Sequence, residues 1–134
     1  TFRTMNEEWR AEALERIRRT IEGVSAAMGA RGELRIQKGY PYLENNPELT
    51  ARAFQHAIDY LGSENVVELP KRMTGEDFAY YSHEIPACFY RLGTGNPSKG
   101  ITSNIHTNTF DVDEDCLPIG AGLMAWMAVQ ELAG

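Results

Sequence analysis

The chain has 134 residues, of which 43% are hydrophobic and 24% charged, enough for one compact domain or for pieces of two. Its 19 acidic residues against 13 basic ones give a formal net charge of -6, and no run of Lys and Arg is interleaved with aromatics, so a nucleic-acid footprint is absent. No stretch approaches the roughly 18 to 20 continuous apolar residues of a membrane span, and Thr1 to Met5 has neither the basic nor the apolar region of a signal peptide; the expectation is a cytoplasmic protein with no membrane partner.

Thr1 to Thr4 is a short β-like run that contains Arg3. Asn6 is a good N-cap, Glu7 and Glu8 put negative charge in the first turn, and Trp9, Leu14, Ile17, Ile21, Val24 and Met28 recur at mostly three- and four-residue spacing. This predicts an amphipathic helix from Glu7 to Met28, ended by Gly29. Leu34, Ile36 and Lys38 then alternate with Glu33, Arg35 and Gln37 as in a half-buried strand running to Gly39-Tyr40-Pro41. Pro47 is placed to begin a second helix, with Phe54, Ala57, Ile58 and Leu61 on one face and Gly62 as its stop. Strands are expected at Val66-Val67 to Leu69 and at Ala87 to Leu92, with a loop and a short helix near Asp77 to Tyr81 between them. Gly93 to Thr109 is too long for an ordinary connection, and long ordered loops commonly carry function. An apolar helix from Asp115 to Leu132 follows, with Pro118 early enough to be tolerated.

Two cysteines, Cys88 and Cys116, are too few for a disulfide scaffold, and their apolar neighbours suit buried free thiols. Of the three histidines, His56 and His83 read as surface residues. His106 differs by its place in the long Gly/Asn/Thr loop, where it serves either as a ligand or as a loop hydrogen-bonding group. Glu76 and Asp77 either line a site at the mouth of a strand-loop-helix unit or cap the short helix. Asp111, Asp113, Glu114 and Asp115 lack the glycine and terminal glutamate of a calcium loop and read as helix-start charges. A Ser nucleophile elbow, a phosphate-binding Gly-rich loop and a CxxC pair are all absent from the sequence.

Three strings, RMTGEDFAYY (Arg72 to Tyr81), IPACFYRLGTGN (Ile85 to Asn96) and NIHTNTFDVDEDCLPIGAGLMA (Asn104 to Ala125), resemble the C-terminal signature of a two-metal metallopeptidase family. That family includes aminoacylases, glutamate carboxypeptidase, hippurate hydrolase and auxin-conjugate amidohydrolases. FRTMNEEWR and KGYPYLENNPEL are similar to its lid-domain segments, so the resemblance runs along essentially the whole chain.

The resemblance implies an α/β fold with α+β character: residues 1-42 as part of a ferredoxin-like lid or dimerisation domain, and 43-134 as the C-terminal part of a zinc-peptidase-like α/β sheet domain. His106 matches the family's last metal ligand, and Gly75 and Glu76 match a loop lining the site beside metals and substrate. Arg3 is similar to the lid arginine that grips a substrate carboxylate, a task suited to a guanidinium fork. Tyr40 stands where some carboxypeptidases have a second arginine, which favours a broader N-acyl amino acid amidohydrolase over a strict carboxypeptidase. The resemblance further implies two divalent ions, zinc or manganese, in the complete enzyme, bound weakly or not at all here. The general base and the other ligands are expected in an N-terminal part, so no catalytic residue is assigned to this segment. Partners implied are an N-acyl amino acid or peptide substrate, the N-terminal part, and a second copy through the lid. The rival expectations are a non-enzymatic binding or dimerisation module that keeps the fold, and a structural α+β domain without a ligand.

Overall fold

The computed structural model describes residues 1–133, which fold into two compact units. One comprises Thr1–Asn46 and Pro70–Ala87; the other comprises Pro47–Leu69 and the described residues from Cys88 onward.

In the first unit the chain enters helix α1, Glu7–Ala27, through Asn6, whose side chain accepts a hydrogen bond from the Trp9 amide at 2.8 Å. This satisfies one of the four orphan amides of a helix start, and Glu7 and Glu8 complement the positive end of the dipole. The outer face is laced by Glu12–Arg16 and Glu15–Arg19 pairs at four-residue spacing. Gly29, at φ 71°, takes the left-handed turn that ends the helix. Arg10 ties the following segment back by donating to the Tyr40 carbonyl at 2.8 Å, while the Glu7 carboxylate accepts from the Tyr42 amide at 3.3 Å. A short helix, α3 (Ala79–Glu84), completes this unit, with Ala79 fully buried.

In the second unit helix α2, Pro47–Leu61, begins on its proline, whose missing N–H costs nothing in the first turn, and stops where Gly62 adopts φ 86°. It packs against α4, Cys116–Ala133. Trp126 of α4 donates its indole N–H to the His56 carbonyl at 3.1 Å and stacks on Tyr60, with ring centroids 6.3 Å apart. Gly122 is the residue of α4 facing the Tyr60 hydroxyl, where a β-carbon would meet it. Arg52 and Glu131 close the far end as a two-nitrogen ion pair, the nearest contact 2.8 Å. Pro118 is absorbed in the first turn of α4.

The four predicted helices are therefore present, α3 starting two residues and ending three residues later than expected. The predicted strands at 1–4, 34–38, 66–69 and 87–92 are not formed: among the described residues the sole β-pairing is the bridge between Asn96 and Ile101. The ferredoxin-like lid and the α/β sheet are thus not seen, and about half of the chain is helical. The physical reason is that a strand, unlike a helix, satisfies its backbone groups on a neighbour. Alternation can mark which side of a strand faces inward, but no described segment supplies these runs with a ladder partner.

Burial is correspondingly thin. Among the described residues the buried apolar ones are Ala13, Ala79, Ala87, Cys116 and Leu123. Helix α4 is apolar on nearly every side, yet Leu117, Met124, Val129 and Leu132 are exposed. With a mean hydropathy of 1.3 over 18 residues it is long and apolar enough to cross a membrane, a test that core helices also pass.

Candidate functional site

The predicted site residues fall in both units. In the first, the Arg3 guanidinium is exposed and donates through Nη1 to the Met73 carbonyl at 2.7 Å, which holds it to the chain that leads into Gly75 and Glu76. One nitrogen is committed there, and a guanidinium carries five N–H donors, so several remain for an anion. Gly75 is exposed, and a β-carbon on it would rest 3.7 Å from the Tyr40 ring. Tyr40 meets Tyr80 edge to face, centroids 6.1 Å apart. The Glu76 carboxylate accepts from the Phe78 amide at 3.4 Å, and its carbonyl accepts from the Ala79 amide at 3.2 Å. Glu76 thus bonds within the turn that precedes α3, whose cap residue Phe78 makes no side-chain cap bond, and Arg3, Gly75 and Glu76 fall in one unit, Arg3 in its first stretch and the other two in its second.

In the second unit His106 sits exposed in a turn at 105–109, in the left-handed region at φ 66°, the one described non-glycine residue with positive φ. Histidine tolerates this region better than most side chains, but the conformation still needs support. Support comes from either side: the Ser103 and Thr109 hydroxyls bond at 2.8 Å, the Thr107 hydroxyl donates to the Asn104 carbonyl at 2.8 Å, and the Phe110 amide donates to the Thr107 carbonyl at 3.2 Å.

On either side of this turn in the chain stand the members of a charge cluster, whose acids look by sequence like helix-start charges. The Asp113 carboxylate accepts from Asn96 Nδ2 and from Lys99 Nζ, each at 2.6 Å, and Lys99 also pairs with Asp115 at 2.5 Å. The hydrogen bond from Lys99, joined by that from Asn96, holds the Asp113 carboxyl below the usual carboxylate range. Lys99 is raised in turn by its hydrogen bonds to Asp113 and then Asp115. The signal was available in principle: Asn96 stands before Pro97 with Ser98 two residues on, an Asx-turn pattern. That Lys99 closes on Asp113 is a contact across fourteen residues that spacing does not reveal.

The other two histidines have local partners. His83 Nε2 lies 2.8 Å from the Tyr42 carbonyl, with its ring against Tyr42, and it is exposed as expected. His56 is half-buried rather than a plain surface residue, 3.8 Å from Glu131. Both cysteines are free thiols; Cys116 is buried and Cys88 half-buried. Among the described residues no three His, Cys, Asp or Glu side chains converge as a metal site. His106 offers one imidazole where a catalytic zinc takes about three protein ligands. These residues alone do not fit a two-metal centre.

Comparison with known proteins adds the following. The profile of peptidase family M20/M25/M40 matches residues 7–130. The chain is 33% identical to thermostable carboxypeptidase 2 of Saccharolobus solfataricus over 97% of its own length and 33% of the relative's. It is 34% identical to N-acetylcysteine deacetylase of Bacillus subtilis over 96% of the chain and 32% of that protein. It is 39% identical to IAA-amino acid hydrolase ILR1-like 6 of Arabidopsis thaliana over 69% of the chain and 20% of that protein. The chain spans about a third or less of the length of these curated relatives. No solved structure gives a significant match.

Proposed function

The chain belongs to peptidase family M20/M25/M40, and from this premise we propose that it is the C-terminal segment of a metal-dependent amidohydrolase or carboxypeptidase acting on N-acyl amino acids or peptide-like amides. The observation that carries the segment reading is α4. A helix apolar on nearly every side is a core element in a water-soluble protein, yet only Cys116 and Leu123 of this one are buried. In the complete enzyme the remaining apolar surface is covered by the rest of the catalytic domain.

Within that enzyme each candidate residue has a task that suits its chemistry. His106 would hold a divalent ion, zinc or manganese, through one imidazole nitrogen alongside ligands from the rest of the enzyme, and the ion would supply Lewis-acid chemistry there. The free N–H donors of Arg3 take the substrate carboxylate. Gly75 leaves room for substrate beside Tyr40, and Glu76 holds the turn in place through the Phe78 amide. A tyrosine rather than a guanidinium at Tyr40 favours N-acyl amino acids over a strict carboxypeptidase substrate. Residues 1–42 form the lid segment, through which two copies pair, and 43–134 the catalytic segment.

The test compares this chain with its reading frame extended toward the N-terminus, both assayed on N-acyl amino acids with added zinc or manganese. The extended protein hydrolyses them and the chain alone does not. Chelator-sensitive turnover by the chain alone, at a rate matching the extended protein, overturns the reading. An extended protein that stays inactive supports a binding module instead.

A further inference from the structure

The loop that presents His106 is closed at its neck by backbone bonds and by the Asp113 carboxylate. On the entry side, the Asn96 amide donates to the Ile101 carbonyl at 2.8 Å and the Ile101 amide returns a bond to the Asn96 carbonyl at 3.0 Å. On the exit side, the Asp113 amide donates to the Thr94 carbonyl at 2.8 Å. The Asp113 side chain then joins the two sides, one oxygen taking Asn96 Nδ2 and the other Lys99 Nζ. Asn96 is in turn fixed by its own Oδ1, which accepts from the Ser98 amide and hydroxyl. Residues 102–112 lie outside helix and strand, so nothing periodic holds them. A loop of this kind keeps one conformation only where its ends and rungs outweigh the entropy of ordering.

We propose that Asp113 is a positioning residue for His106: by clamping Asn96 and Lys99 across the neck it holds the 102–112 loop in the conformation in which the His106 backbone sits at φ 66°. The carboxylate is buried, and its bonds are to a charged donor and a fixed amide, the stronger kind of hydrogen bond. Lys99 keeps it ionised at neutral pH. Asp113 also starts α4, since its carbonyl accepts from the Cys116 amide and its Oδ1 from the Asp115 amide. A purely structural role would therefore act on α4, whereas a positioning role acts on the loop. The inference rests on the reading of His106 as a site residue.

The experiment uses the whole isotope-labelled chain and compares Asp113→Asn, Lys99→Met and Lys99→Arg by NMR. Loop readouts are the His106 ring C–H signals and the exchange rates of the Asn96 and Ile101 amides; the Trp126 indole N–H reports on α4 packing. Asp113→Asn is expected to raise both amide exchange rates by about tenfold and to split or broaden the His106 signals, with the Trp126 signal unmoved. Lys99→Met gives a smaller change of the same kind, and Lys99→Arg restores the native pattern. Unchanged His106 signals and exchange rates in Asp113→Asn overturn the proposal, as does an equal loss of the Trp126 signal in Asp113→Asn and Lys99→Met. The metal reading fails separately, through a His106→Ala enzyme that keeps its metal.

Discussion

Helix α4 and the loop that carries His106 are neighbours in one unit but are finished to different degrees. The loop settles its own polar groups: hydroxyl rungs flank His106, and the Asn96–Lys99–Asp113 cluster closes its neck. The helix settles its backbone but not its side chains, because most of its apolar surface has no described neighbour to bury it. Hydrogen bonds over short spans can be completed by a local stretch of chain, whereas burial needs mass on all sides. The loop can therefore be complete in its own bonds while the helix beside it in sequence is not complete in its packing.

The sharpest test of that contrast lies along α4 itself. Leu123 is 3% exposed and Leu132 is 88% exposed. Leu123→Ala removes packed methyl groups and is expected to cost about 2 to 4 kcal/mol in urea unfolding, whereas Leu132→Ala stays within about 0.5 kcal/mol. Equal effects would mean that α4 has no buried side in the chain alone, and the comparison with the loop would lose its basis.

A second, smaller effect concerns the loop neck and acid. The folded Asp113 carboxyl is lowered, so its contribution is complete above the ordinary carboxylate value of about 4 and disappears as pH falls through the folded value. Lys99 is raised, so its contribution is complete below about 10.4 and disappears only as pH climbs through its own higher folded value. The Asn96 and Ile101 amide shifts should hold steady from about pH 5 to pH 10 and move in acid, and Asp113→Asn should remove the acid transition. A transition near neutral pH would point to a different titrating group.

The smallest effect is expected at Arg52. Its bond to Glu131 raises the guanidinium and lowers the carboxyl, but the arginine side chain is 53% exposed and the pair is open to screening. Arg52→Ala should move the Tm only slightly, and less in high salt than in low. A large, salt-independent loss would show that this ion pair contributes more to the fold than its exposure allows.

The same contrast explains what the amino-acid order revealed. Helix α1 was legible from Asn6, its acidic first turn and Gly29, all of which act within a turn of the helix end. Pro47 and Gly62 bracketed α2 in the same way. The strands were read from alternation at 34–38 and apolar runs at 66–69 and 87–92, but alternation records a burial preference and not the partner that forms the ladder. At the candidate site, the placement of His106 in a long functional-looking loop was legible, and its left-handed backbone was not. The resemblance singles out Glu76, whose carboxylate accepts from the Phe78 amide two residues on, a local bond in the turn before α3. Asp113 was read as one acid among four because its partners, Asn96 and Lys99, come from the other end of the loop.

If His106 ligates metal in the complete enzyme, as proposed, its loss must show in the metal content. The reading frame extended toward the N-terminus is expressed with and without His106→Ala, and each protein's zinc and manganese are measured by plasma mass spectrometry alongside hydrolysis of an N-acyl amino acid. Removing one of about three ligands should deplete bound metal and abolish most turnover, with the protein still folded by circular dichroism. Metal content and activity that both survive the substitution would contradict the account at its most specific residue.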